Sequence, residues 1–416
     1  MNAAGIDVSS RKSTVAILRP FGEVVKLPFE VCHSAEDLSA LAQQLKSIEG
    51  ETRVVMEHTG RYYESIAKVL HEAGLYVSVV NPLLIKEYGA NSLRRVKTDK
   101  ADAMKIARYA LDNWADLRDY TPMDTIRYNL KTLNRQFQLA SKQRTASSNN
   151  LIALLDQSFP GVRKCFDSPV RGDGTQKWVD FAHAFWHVDC VRKQSLNAFS
   201  ERYRKWCKRH GYFFKQANAE EVYTLAKNAV VLVPKSDVTK VLIREAANQL
   251  TSISRSVETY RAEMERLASM LPEYPVVMQM YGVGKSFGPQ LMAEIGDVRR
   301  FERKQALVAF AGIDPMPNQS GEKNIRSNKS SKRGSPYLRK TLFNIMSIYL
   351  KCAPQEEPIF QFLDRKRTEG KPYYVYMTAA GNKFLRRYYA QVRDYLATLE
   401  NLPPVDMEST GLQHTT

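Results

Sequence analysis

The chain has 416 residues and a mass of 47.5 kDa, too long for one ordinary domain and suited to two or three at about 150 residues each. A composition of 44% hydrophobic, 25% charged and 10% aromatic residues provides real cores and excludes a wholly disordered chain. Sixty-one Lys and Arg against 44 Asp and Glu leave a net charge of +17, which attracts polyanions at long range and makes nucleic acid the leading partner class.

The opening residues lack the charged-then-apolar layout of a secretory leader, and no apolar run approaches the roughly 18 residues that span a bilayer. A cytoplasmic protein with no membrane partner is expected. Five scattered Cys without a Cys-x-x-Cys pair fit reduced thiols rather than a disulfide framework.

Residues 3–8, 14–18 and 23–29 read as three short strands separated by polar or Gly-Pro turns. Leu38, Leu41, Leu45 and Ile48 then recur at helical spacing, and 53–57 is a buried strand that ends on Glu57. A helix over 62–71, a β-run over 76–80 and a helix over 100–111 complete the order β-β-β-α-β-α-β-α. This describes a mixed sheet flanked by helices, in which ligands sit at strand ends, and it defines a first domain over 1–124.

From 125 to 271 the pattern is long and polar with Leu and Ile at intervals, predicting two amphipathic helices, 125–157 and 236–270, able to pair antiparallel. An insert at about 160–235 interrupts them, carrying all but one of the four Trp and the basic stretch Arg202 to Arg209. Its His183, His187, Cys190, Cys207 and His210 include a His-x-x-x-His spacing that suits zinc, but the neighbouring Phe181, Phe185 and Trp186 favour a core-facing stripe. The same aromatics among Arg and Lys also suit stacking on unpaired bases, with packing again the favoured role.

A third, mainly helical block over 272–400 opens with Tyr281-Gly-Val-Gly284 and a helix over 286–295, and continues to a Ser, Gly, Asn and Lys-rich loop. Helices over 336–350 and 379–399 follow, then a polar tail over 401–416. Residues 320–340 hold seven Lys or Arg against one Glu. Gly282 and Gly284 permit close approach of a phosphate to a helix start, or form a tight turn between packed helices. Lys323, Arg326, Lys332, Arg333, Arg339 and Lys340 form a phosphate-binding surface.

Asp7 ends the first strand and Glu57 the fourth, while Asp99 and Asp102 stand one turn apart at the start of a helix, on one face. Four hard carboxylates at one sheet edge suit Mg²⁺, or Mn²⁺ in its place, and Lys97 and Lys100 beside them suit phosphates. Each acid also has a plain alternative: Asp99 and Asp102 complement a helix dipole, and Asp7 caps a turn. Ser320-Gly321, within the basic stretch, reads from its own chemistry as a turn, because no base for its hydroxyl is evident nearby.

Gly5-Ile-Asp-Val-Ser9, Met56-Glu-His-Thr-Gly60 and Lys97-Thr-Asp-Lys-Ala-Asp102 resemble the RuvC-like domain of the DEDD transposases of the insertion sequence 110 family, relatives of the pilin-gene inverting recombinase Piv. Tyr281-Gly-Val-Gly284, Leu291 to Val298, Phe310 to Pro315, Gln319-Ser-Gly321, Ser331-Lys-Arg-Gly334 and Leu338-Arg-Lys340 resemble the same family's C-terminal transposase domain. Tyr281 replaces the family's usual proline, and the insert and tail lie outside the resemblance.

The resemblance implies an RNase H-like fold in which Asp7, Glu57, Asp99 and Asp102 bind Mg²⁺. It implies that Ser320, against the reading from chemistry alone, is the nucleophile that becomes joined to DNA. It further implies homodimers that assemble into tetramers, composite sites that join the acids of one subunit to the serine of another, and a bridge RNA pairing with donor and target DNA. A bacterial protein found on the nucleoid when active follows. No Walker-type loop signals ATP use. The alternatives are a site-specific DNA invertase, a metal-dependent junction nuclease without serine chemistry, and a non-enzymatic RNA-binding protein.

Overall fold

The computed structural model describes residues 1–58, 60–88, 98–315, 319–320, 323–324 and 330–400, which divide into two compact units, Met1–Met123 and Asp124–Thr416.

The first unit runs β1 (Asn2–Val8), β2 (Lys12–Leu18), β3 (Val24–Cys32), α1 (Ala35–Lys46), β4 (Thr52–Glu57), α2 (Tyr62–Glu72), β5 (Tyr76–Val80), α3 (Pro82–Tyr88) and α4 (Asp99–Asp112). The sheet order is β3-β2-β1-β4-β5, with β2 antiparallel to β1 and β3, and β1, β4 and β5 mutually parallel. This is the mixed sheet flanked by helices that the strand order predicted, in the RNase H-like fold that the resemblance implied.

Alternation along each strand sorts the side chains to two faces. Ala4, Ile6, Val54 and Met56 pack under α1 and α2, whereas Ala3, Val55 and Val80 pack under α3 and α4 with Ile106 and Ala107. Gly5 lies on the second face, where a Cβ would stand 2.9 Å from Ala107 Cα and closer still to the Ala103 carbonyl. Only a glycine lets α4 lie this close to β1.

The second unit begins with α5 (Thr125–Ser158), continues through α6 (Lys177–Ala184), α7 (Asp189–Arg192), α8 (Leu196–Arg209) and α9 (Gln216–Asn228), and returns in α10 (Asp237–Ser269). Its later part comprises α11 (Tyr274–Met278), α12 (Gly284–Ile295), α13 (Lys304–Ala311), β6 (Gln319–Ser320), β7 (Lys323–Asn324), α14 (Pro336–Cys352), α15 (Pro358–Thr368) and α16 (Tyr373–Glu400). Arg127 of α5 meets Glu273 beyond α10, while Arg144 meets Glu258, so the two long helices run antiparallel as their pattern predicted.

The last helix starts six residues earlier than its expected Ala379, and α15 lies in a stretch for which no element was expected. Both carry polar and aromatic residues on several sides, which blurs the 3.6-residue period. Two hydrophobic cores fill the unit. One joins α12, α13, α14 and α16, and the other is the aromatic cluster of the insert with the far ends of α5 and α10.

Candidate active site

Asp7 and Glu57 belong to adjacent parallel strands whose register pairs Ile6 with Met56, one residue earlier in each. Side chains alternate, so Asp7, two residues beyond Gly5, and Glu57, two beyond Val55, project to the face that α4 covers. The Thr98 side chain caps α4 by accepting from the Ala101 amide at 3.2 Å, which fixes where the first turn begins. Asp99 and Asp102 stand in that turn, immediately before the Ala103 that presses on Gly5.

Lys12, at the start of β2, lies within the electrostatic reach of the helix start. Its ammonium is held above its usual range first by a hydrogen bond and ion pair to Glu30 at 2.7 Å and further by the charge of Asp99. The helix start therefore overlies the carboxyl ends of β1 and β4. Asp7, Glu57 and Asp102 are half-buried, and Asp99 and Lys100 are exposed.

Carboxylates are the hard-oxygen donors that a divalent Mg²⁺-type ion requires, and these four belong to elements that meet at one end of the sheet. Among the described residues no three His, Cys, Asp or Glu side chains are drawn together into a formed metal cluster. Lys97 lies outside the described residues.

Ser320 belongs to the second unit. The segment that carries it leaves and re-enters the domain through a short ladder. Pro315 bridges Ser330, the Ser331 amide donates to the Asp314 carbonyl at 3.0 Å, the Lys332 amide to the Gly312 carbonyl at 3.0 Å, and the Ser335 amide to the Phe310 carbonyl at 2.8 Å. Within it β6 pairs antiparallel with β7, Ser320 opposite Lys323 and Gln319 opposite Asn324. Ser320 thus occupies a strand position, and Gly321, the other half of the turn expected from local chemistry, lies outside the described residues. Arg326 lies outside the described residues.

Gly312 and Gly334 explain the two glycines of this region. Gly312 has φ +65°, and a Cβ on Gly334 would stand 2.5 Å from the Gly312 amide nitrogen and nearer the Phe310 carbonyl. The two backbone runs touch where the ladder ends, and no side chain fits between them.

The basic residues divide by role. Arg339 donates through one Nη to the carbonyls of Ala311 and Gly334, both at 3.0 Å, and burial lowers its guanidinium from the usual range. It holds the ladder closed, so part of its charge is turned inward. Lys340 donates to Gln138 Oε1 at 2.8 Å from an exposed position on α14. Lys332 and Arg333 are exposed, and Lys332 has φ +52°, a strained backbone for a non-glycine residue.

Gly282, at φ +74°, packs against Tyr349 and Ile345, whereas Gly284, at φ +50°, starts α12 with open space beside it. The close fit of Gly282 serves packing, and Gly284 leaves a backbone amide accessible at a helix start.

In the insert, His187 is buried with both ring nitrogens engaged. Nδ1 accepts from the Asp189 amide at 3.0 Å and Nε2 donates to the Val233 carbonyl at 3.1 Å. Phe181 stacks on Phe185 and Tyr203 on Trp206, Trp206 meets Phe181 edge-on, and Trp178 is buried in the same core. Cys207 is buried, its thiol pushed up by burial, and all five cysteines are free.

Two features escaped sequence reasoning. Glu294, fully buried, accepts from Asn134 at 2.7 Å, Arg135 at 3.0 Å and Ser335 at 2.8 Å, tying α5 and α12 to the start of α14 just beyond the ladder. The second is a groove of about 1280 Å³ lined by Pro315, Ser330 and Lys332 of the ladder and by Phe343, Tyr374 and Arg386 of the helices. The pairing of Tyr373-Tyr374 with Arg386-Arg387 about three turns apart on α16 marks it, and the expected helix, starting only at Ala379, left the tyrosines out.

Comparison with known proteins gives the following. Residues 4–160 match a DEDD-type transposase family model, and residues 274–360 match the transposase family of IS116, IS110 and IS902. The pilin gene-inverting protein of Moraxella bovis is 23% identical over 344 residues, 82% of this chain and 80% of its own length. The transposase for insertion sequence element IS1111A of Coxiella burnetii is 29% identical over 120 residues, 29% of this chain and 32% of its own. The solved structure of T. thermophilus RuvC in complex with a Holliday junction substrate overlays 29% of this chain and 99% of its own, with 15% identity and a TM-score of 0.23.

Proposed function

Because this chain belongs to the insertion sequence 110 family of transposases, we propose that it cuts and rejoins DNA through a covalent serine–DNA intermediate. In this reading Ser320 Oγ attacks a backbone phosphorus. One serine–phosphate ester forms, one phosphorus–oxygen bond to the sugar breaks, the hydroxyl proton passes to a base, and the departing sugar oxygen takes up a proton. Attack by a hydroxyl of the other DNA partner reverses the step, so bond energy is conserved and no nucleotide cofactor is consumed.

Asp7, Glu57, Asp99 and Asp102 are the residues that would hold Mg²⁺, which when bound neutralises charge building on the phosphate oxygens. In this reading one of the same carboxylates serves as the base for the serine proton. A composite site joining the acids of one subunit to the serine of another, in a dimer or tetramer, is the arrangement that the family resemblance implies. Exposed Lys100, Lys332 and Arg333 meet backbone phosphates, and the charge of +17 suits a structured bridge RNA in addition to donor and target DNA.

The observation that supports the reading is the placement of Asp7 and Glu57 at the carboxyl ends of the adjacent parallel strands β1 and β4, on the face that α4 covers, with Asp99 and Asp102 in the first turn of α4. The test is a denaturing gel of protein incubated with Mg²⁺, flanking RNA and labelled donor and target DNA. A protein–DNA band is expected from wild type and lost in Ser320→Ala, in Asp102→Ala, with chelator, and without RNA. Cleaved DNA without attachment, unchanged in Ser320→Ala, would establish a junction nuclease instead, and a band independent of RNA would remove the bridge.

A further inference from the structure

The groove beside the serine-bearing segment lies entirely in the second unit, and half of its lining residues lie beyond those that the family models match. Its volume of about 1280 Å³ exceeds the roughly 300–1,000 Å³ of a site for one small molecule. Lys332, Arg339, Lys340, Lys383 and Arg386 line it, and among the described residues no carboxylate does. Arg339 and Lys340 are partly occupied by internal partners, and Lys383 donates to the Pro358 carbonyl at 2.9 Å. Lys332 and Arg386 are exposed and, among the described residues, have no ion-pair partner. The wall facing them is aromatic. Tyr374 is 72% exposed, its ring 6.2 Å from that of Phe343, and Phe362 lies 4.9 Å under Lys383.

A purely cationic surface recognises a duplex backbone, and a purely apolar one another protein. Rings alternating with cations recognise a strand whose bases are unstacked from their partners, since each base offers a face to a ring and each phosphate an oxygen to a cation. The groove is continuous with Pro315, Ser330 and Lys332, the points at which the segment carrying Ser320 leaves and re-enters the domain. A strand seated there runs past the base of the segment that carries Ser320.

We propose that this groove, with Tyr374, Phe343, Lys332 and Arg386, holds an unpaired DNA strand flanking the phosphodiester that Ser320 attacks. The proposal rests on the serine reading above for the identity of the strand, and its test separates the two. Tyr374 and Arg386 position the strand and take no part in bond exchange.

The measurement is fluorescence anisotropy of the full chain with a 12-nucleotide oligothymidylate, a duplex of equal length and an oligouridylate. Tyr374→Ala combined with Arg386→Ala is expected to weaken oligothymidylate binding about ten- to a hundredfold, with a shallower salt dependence, and to change duplex binding by less than about threefold. Tyr374→Phe should retain wild-type binding, because the ring remains, and Ser320→Ala should bind as wild type. Unchanged thermal midpoints keep the comparison clean for two exposed side chains. Equal losses on duplex and unpaired DNA, wild-type binding by the double variant, or a loss confined to oligouridylate would each overturn the proposal. So would a gain in affinity on deleting residues 401–416, which would make the tail the occupant. Failure of the serine reading looks different: no covalent band from wild type, with oligothymidylate binding still falling in the double variant.

Discussion

Replacing Gly5 by alanine tests whether α4 positions the acids. The new Cβ would lie 2.9 Å from Ala107 Cα, while carbon atoms pack best at about 3.5–4.0 Å, so helix and strand must part by roughly 0.6–1 Å. Closer approaches to the Ala103 carbonyl and the Ala107 amide involve backbone as well, so no side-chain rotation relieves the clash. Overpacking of this kind costs about 1–3 kcal/mol, a fall of roughly 3–15 °C in the midpoint of a unit this size. The larger effect falls on chemistry. Asp99 and Asp102 ride on the displaced helix while Asp7 and Glu57 stay with the sheet, and a 1 Å misplacement costs on the order of a hundredfold in rate. Thermal unfolding by circular dichroism and single-turnover strand cleavage would report the two effects separately. A Gly5→Ala protein with wild-type midpoint and cleavage rate would refute the claim that contact between α4 and β1 sets the site; a lowered midpoint with wild-type cleavage would show that the acids are placed by something else.

Three further outcomes follow from the packing. Glu294→Ala leaves the Arg135 guanidinium without its buried partner, and urea unfolding should show a loss of about 3–5 kcal/mol, while Glu294→Gln, which still accepts from Asn134 and Ser335, should lose less. Gly334→Ala forces the ladder strands apart at Gly312 and Phe310, so hydrogen exchange at the Lys332 and Ser335 amides should accelerate while the amides of β1 and β4 stay protected. Burial alone would raise the carboxyl of half-buried Asp297, but hydrogen bonds and charge from Arg299 outweigh it and hold the group below its usual 3.8. Its stabilising contribution is therefore complete above about pH 4 and lost as the pH falls further, so acid unfolding of Asp297→Asn should be less steep below pH 4 than that of wild type.

Sheet, helices and acids were legible because their signals are local. Alternating apolar residues define β1 and β4, Leu and Ile at helical spacing define α5 and α10, and Thr98 before Asp99 marks a capped helix start. Motif resemblance singled out Gly5, Gly312 and Gly334, but their reason is a contact: each lies where another backbone run passes too close for a side chain, and the partner residues, Ala103 and Ala107 or Phe310, are remote or unremarkable in sequence. The same holds for Arg339 and Lys340. Sequence presents them as surface charge, and only packing reveals that one closes the ladder beneath Ser320 and the other reaches Gln138, 202 positions away. Glu294 reads as one more helix carboxylate until Asn134, Arg135 and Ser335 surround it. Composition, charge and short-range period thus determined what kinds of element this protein has and which partners it attracts. The tertiary structure decided which charges face inward, which rings stay exposed and which glycines are irreplaceable, because burial and close approach depend on neighbours that the chain brings together only by folding.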